Sequence, residues 1–298
     1  MWITFAFLSA ALLGLYDACK KHALADNAVI PVLTANTLLC SAFFLPFIFG
    51  GAIGTGDLRA HSLVLLKSMI VLGSWVCGYF AMARLPLSTV GPINATRPVL
   101  TLTAAMFVYG ERPGFWQWAG IVSAMAGLLL LSRSSRSEGI HFTRNRGILL
   151  LAAATLLGTA SGLFDKYLMS AGGARLDRLF VQGYYNFYQA LLMSFACLLL
   201  HGRGKNGRKP FRWRRSIVLV SLFLTLADLC YFYALSFDGA MIGIVSMARR
   251  SSVVVSFVCA AVLFKEKNLR AKAFDLALVL LSIVCLALGS QTDSTASE

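Results

Sequence analysis

Apolar residues in this chain run in long blocks broken by short polar stretches, with little strict alternation. Ten such blocks recur, at about 2–19, 29–52, 62–83, 86–109, 115–132, 147–169, 179–201, 216–237, 239–264 and 271–289. Each reaches or approaches the ~20 residues that a helix needs to cross a ~30 Å hydrocarbon core. The ten-residue alternation of a membrane barrel strand is missing, so the pattern predicts an all-α integral membrane protein with ten transmembrane helices. The longest polar connections are two basic loops, SRSSRSEGIHFTRNR (132–146) and HGRGKNGRKPFRWRR (201–215).

Composition agrees with this pattern. Of 298 residues, 58% are apolar and 13% charged, against about 45–50% and about 25% in soluble domains, and mean hydropathy is +0.72. A net charge of +14 in a soluble chain would point to nucleic acid; here it reads as loop charge that sets orientation, with the bilayer as the partner and no nucleic acid. Loops after odd-numbered spans, with their flanks, hold 18 of the 27 basic residues, the opposite side holds 5 (Arg59, Lys67, Arg112, Arg175 and Arg178), and Arg97, Lys166, Arg249 and Arg250 lie within spans. This bias predicts cytoplasmic odd-numbered loops and both termini outside, in a membrane such as the bacterial inner membrane. The N-terminus lacks a basic n-region and a cleavage site, so its first apolar block reads as a retained span.

The two halves resemble one another. GLYD (14–17) matches GLFD (162–165) at an offset of 148, Asn36 matches Asn186 at 150, and CGYFAMA (77–83) matches CYFYALS (230–236) at 153. The same offset places Arg97 on Arg250 and Trp75 on Asp228, and YGER (109–112) follows on FKEK (264–267) at 155. The chain thus divides into a five-helix repeat (1–132), a basic linker (133–146), a second five-helix repeat (147–290) and a polar tail (291–298). An odd number of spans per repeat inverts the second copy, an arrangement of secondary transporters that places the site between repeats near the midplane.

With ERPGFWQWAGIVSAMAGLLLL after span four and KEKNLRAKAFDLALVLLSIVCLAL after span nine, the chain resembles the EamA-like branch of the drug/metabolite transporter superfamily. In that family a glutamate just past span four or nine precedes a Gly-rich span. Glu111, Gly120 and Gly127 fit the first copy, while the second keeps Glu266 but has Asp275 and Ser282 at the glycine positions. The resemblance implies transport, with spans one to four and six to nine around a cavity and spans five and ten outside it. It also implies termini inside, against the charge count.

The sharpest chemical signal lies in GIVSMARRSSVVV (243–255). Ten apolar residues before Arg249 and fourteen after Arg250 cannot each cross alone, so the pair sits near mid-depth, as does Arg97 in GPINATRPV. A mid-span arginine costs about 2.5–3.5 kcal/mol, which directs these three toward a cavity or a partner. Asp228 is a candidate partner, and Arg249, about 100° round the helix from Arg250, is the one expected to take it. That pair alone could simply join spans eight and nine. Asp17 and Asp165 are repeat-related candidates for proton coupling with Asp228, or could pair plainly with Lys20 or Lys21 and with Lys166. Prolines 92 and 98 kink span four and free carbonyls suited to a cavity.

Polar and aromatic residues recur in the matching spans. Trp75 and Tyr79 lie in span three and Tyr231 and Tyr233 in span eight. In span seven, QGYYNFYQ (182–189) sets Gln182, Tyr185 and Gln189 on one face with Asn186 beside them. Such stripes also serve plain packing. The seven cysteines sit in apolar blocks without CxxC spacing, the four histidines lie far apart, and no hydrolase, metalloprotease or nucleotide motif occurs. No enzyme activity, metal or cofactor is therefore expected.

The sequence thus predicts a secondary transporter, exporter or exchanger, for a small anionic or zwitterionic metabolite, as monomer or homodimer. Arg97, Arg250 and Arg249 would hold its anionic group, and Asp228, Trp75, Tyr79, Tyr233, Asn36, Asn186, Tyr185 and Gln182 would line the site. A flippase for a lipid-linked phosphate and a non-transporting structural or regulatory membrane protein are the alternatives.

Overall fold

A computed structural model describes residues 2–25, 27–51, 53–97, 99–100, 103–104, 114–136, 145–169, 173–201, 211–235, 248–266 and 269–295. Among these, ten helices and no strands occur: α1 (Trp2–Leu24), α2 (Val29–Phe49), α3 (Leu58–Arg84), α4 (Leu87–Ala95), α5 (Phe115–Arg136), α6 (Arg146–Met169), α7 (Arg178–His201), α8 (Arg215–Leu235), α9 (Ser252–Val262) and α10 (Leu269–Thr295). Three of them are long and apolar enough throughout to cross a membrane, over Val29–Phe49, Leu58–Arg84 and Arg146–Asp165.

Polar residues at block edges start the helices. The Asp57 carboxylate accepts from Ala60 N at 2.8 Å to begin α3, and Asp177 accepts from Phe180 N at 3.0 Å to begin α7. Asn145 Oδ1 accepts from Gly147 N at 2.8 Å to begin α6. These bonds satisfy amide groups that a helix start leaves unpaired.

Several boundaries differ from those read in the sequence. Helices α5 and α6 extend into the expected linker at Arg136 and Arg146, and α10 runs through Thr295 into the expected polar tail. Polarity sets where a span leaves the apolar phase, whereas an established helix ladder propagates into water without a new nucleation step. Span four is helical to Ala95, turns at Thr96, and is helical again at 97, 99–100 and 103–104. Residues 109–112 of YGER and most of both basic loops lie outside the described residues.

Principal contacts join a helix from before the linker to one from after it. Helix α1 packs on α8 and α9, α3 on α6 and α7, α2 on α7 and α8, α4 on α9 and α10, and α5 on α10. Small hydroxyl residues stitch these crossings: Ser9 Oγ donates to Ala227 O at 2.7 Å, Ser74 Oγ to Ala154 O at 2.7 Å and Ser123 Oγ to Leu278 O at 2.9 Å. Such residues let backbones approach where no hydrophobic force separates helix from lipid. The outer surface is apolar, with Phe7, Val122, Leu129, Phe195, Leu198 and Phe274 exposed. Ion pairs and buried amides lie between the helices instead.

Candidate functional site

Spans four and nine are both interrupted beside their arginines. In span four the chain turns at Thr96, with φ −80° and ψ −3°, immediately before Arg97. In span nine it turns at Ser251, with φ −64° and ψ −7°, immediately after Arg250. Each turn is fixed by its own hydroxyl: Thr96 Oγ1 donates to Ile93 O at 2.7 Å, and Ser251 Oγ to Ala248 O at 2.6 Å. A hydroxyl bonded back to the preceding turn bends a helix.

Arg97 reaches α6, where its guanidinium lies flat over Gly158; an added Cβ there would sit 2.7 Å from Arg97 Cζ. Only glycine leaves this space. Arg97 lies in the field of Asp17 and Tyr16, and Arg250 in the field of Arg97, Arg249 and Tyr231. The three arginines are thus neighbours, although 152 residues separate Arg97 from Arg249. Arg249 pairs with Asp228 of α8 and lies 4.5 Å from the Tyr231 ring centroid. Gln182 Nε2 of α7 donates to the other Asp228 oxygen at 3.3 Å. Among the described residues, Arg250 enters no ion pair.

Beside this cluster, the Tyr16 hydroxyl lies 3.5 Å from that of Tyr79. Lys20 Nζ sits 4.3 Å from the Tyr16 ring centroid and 2.8 Å from Asp17 Oδ1. Ser256 Oγ of α9 donates to Asp17 Oδ2 at 3.3 Å. Buried amides continue the polar surface on α2 and α7. Asn186 Nδ2 donates to Gln182 O at 3.0 Å, while Asn36 Nδ2 and both amide atoms of Gln189 meet no protein partner. Gln189 is 1% exposed. A buried amide without partners is costly unless water or a ligand serves it.

Most of the expected residues therefore converge: Arg97, Arg249, Arg250, Asp228, Tyr79, Tyr185, Gln182, Asn36 and Asn186 line or adjoin the core between α1, α2, α7, α8 and α9. Trp75 is half-buried against the same core. Tyr233 lies apart from this group. It is 54% exposed and stacks edge-on with Phe5, centroids 4.7 Å apart, because five residues of helix turn it away from the face of Asp228.

Asp165 pairs with Lys67 of α3. Lys67 itself is 6% exposed, well inside α3, so it drops out of the five loop charges opposite the basic face. Sequence reasoning missed Tyr16, Ser256 and Lys67 as members of these clusters. Tyr16 carried a signal, inside the repeated GLYD stretch; Ser256 and Lys67 carried none, because their partners lie in the other half of the chain.

The clearest clefts lie away from the arginines. One of about 470 Å³ is lined by Phe80, Arg84, Arg146, Leu149 and Leu150, and one of about 150 Å³ lies at Asp57, Arg59 and Gly173–Ala174. No group of three or more metal-ligating side chains occurs among the described residues.

Comparison with known proteins adds three findings. Residues 1–133 match the sequence model described as the EamA-like transporter family. No curated protein matches significantly. A solved crystal structure of a protein shares the fold over 97% of this chain and 98% of its own, with a TM-score of 0.65 and 18% identity. At that identity the likeness shows the fold alone.

Proposed function

We propose that the chain is an integral membrane transporter, on the match of residues 1–133 to the EamA-like transporter family, and that it moves a small organic anion or zwitterion by alternating access. Transporters of this family are not enzymes. The proposed architecture is two inverted five-helix repeats. It is supported by the partner exchange in packing, where α1–α8 and α3–α6 are counterparts and α2–α7, α4–α9 and α5–α10 join like to like. Interrupted helices facing a central site between repeats suit such a mechanism.

The observation that carries the substrate class is Arg250. It lies in the field of Arg97 and Arg249, just before the turn at Ser251 that precedes α9, and Asp228 is already held by Arg249. A third guanidinium without its own carboxylate among the described residues favours an anion, and its planar fork suits a carboxylate or phosphate bidentately. Tyr79, Tyr185 and the amides of Asn36 and Gln189 would meet the organic body. The two interrupted helices would then rock with their repeats, bringing the anion from one face to the other. We place the basic loops in the cytoplasm on the charge bias.

The test is a thermal-shift screen of purified protein against organic acids, phosphosugars, amino acids and organic cations, followed by flux in proteoliposomes. Anions should raise the melting temperature of wild type. Arg250→Ala should lose that response and at least about tenfold of the flux, and Arg250→Lys should restore only part, lacking the fork. Stabilisation by cations, or normal flux in Arg250→Ala and Arg97→Ala, would remove the assignment.

A further inference from the structure

The groove of about 470 Å³ at one end of the α3–α6 pair takes no part in that reading. Its walls repeat one pattern on two antiparallel helices. Arg84 ends α3 and Phe80 lies one turn earlier; Arg146 begins α6 and Leu149 and Leu150 lie one turn later. Each helix therefore sets a guanidinium at its tip and an apolar wall about 5–6 Å deeper. The tips are held together where Gly147 meets the Leu85 side chain, leaving an added Cβ only 2.9 Å from Leu85 Cγ.

Neither arginine is needed to finish its own helix. Lys21 Nζ donates to Met82 O at 2.8 Å and also to Leu85 O, covering the end of α3, and Asn145 caps α6. Arg84 and Arg146 are exposed, and among the described residues they enter no ion pair. Leu149 is 57% exposed, so the apolar wall opens sideways from the bundle.

We propose that this groove binds one anionic phospholipid from the leaflet on the basic face. Its phosphate lies between Arg84 and Arg146, and its acyl chain covers Phe80, Leu149 and Leu150. A soluble phosphate would use the guanidiniums but leave the apolar wall bare. A phosphatidylcholine would fill the wall, but its zwitterionic headgroup sets a trimethylammonium against the two guanidiniums.

The experiment is native mass spectrometry of the detergent-purified full chain titrated with phosphatidylglycerol or phosphatidylcholine. Each basic residue near an anionic lipid surface contributes enough that Arg84→Gln with Arg146→Gln should weaken phosphatidylglycerol binding about 30-fold. Phosphatidylcholine binding should be weak in both proteins. Leu149→Glu, which keeps both arginines on an exposed position, should also lose phosphatidylglycerol, and the paired change Arg214→Gln with Arg215→Gln elsewhere on the basic face should not. Melting temperature in detergent alone checks that each variant remains folded, and inorganic phosphate should displace no lipid. Equal phosphatidylglycerol affinity in wild type and the Arg84/Arg146 variant, equal loss in the Arg214/Arg215 variant, or displacement by inorganic phosphate would overturn the proposal.

Discussion

The stretches GLYD at 14–17 and GLFD at 162–165 are nearly the same sequence and lie in opposite settings. Gly14 is buried, and a side chain there would run into Val255 of α9; Gly162 is exposed, with nothing within 4 Å of an added Cβ. Asp17 is held by Lys20 on its own helix and by Ser256 of α9, whereas Asp165 is held by Lys67 from α3. The first stretch packs against α9, whereas the glycine of its counterpart faces outward. Two similar stretches thus meet different neighbours, and the packing rather than the local sequence decides which. In the proposed mechanism these two settings exchange during transport.

The largest expected effect comes from breaking the tie at Asp165. Lys67→Met leaves the Asp165 carboxylate without its ion partner, and should destabilise by about 2–3 kcal/mol, below the range for a fully buried pair because Asp165 is 35% exposed. Thermal unfolding of Lys67→Met against Lys67→Met with Asp165→Leu measures it. If the double variant is no more stable than the single one, the charge is not the cause.

Next comes the pair of glycines. Gly14→Leu should cost about 1–3 kcal/mol by overpacking against α9, while Gly162→Leu should fall within about 0.5 kcal/mol. Equal melting temperatures for the two would erase the contrast between the stretches. Lys20→Met should cost about 1 kcal/mol or less, because its pair spans one turn of a single helix and Asp17 keeps Ser256. Smallest of all, Tyr233→Ala should leave substrate flux unchanged, while Tyr79→Ala should lower it in the same proteoliposome assay.

The all-helical fold was legible because block length is a property of the chain itself. Arg249 and Asp228 could be paired on paper because few carboxylates lie within the spans. Lys67 was misread as a loop flank, since the sequence shows only that it stands near a span end and not which helix faces it. Tyr233 lies apart for a related reason: a repeat match to span three gives a helix and a depth, but one residue of drift rotates a side chain by 100°. The breaks at Thr96 and Ser251 were half legible. Proline announced the first, while the second depends on a serine hydroxyl that has the same composition in an unbroken helix.

The start of α4 has one further consequence. Its first two amides, Leu87 N and Ser88 N, donate to the Glu266 carboxylate at 2.6 and 2.9 Å, and Lys272 Nζ donates to Ser88 Oγ at 3.0 Å. The cap lies 179 residues downstream of the helix it completes. At ribosomal rates of about 5–20 residues per second, α4 waits roughly 10–35 s for its cap to be made. The first half is therefore held in the membrane unfinished until the second arrives, and translation order, not only the final packing, makes the two halves one protein.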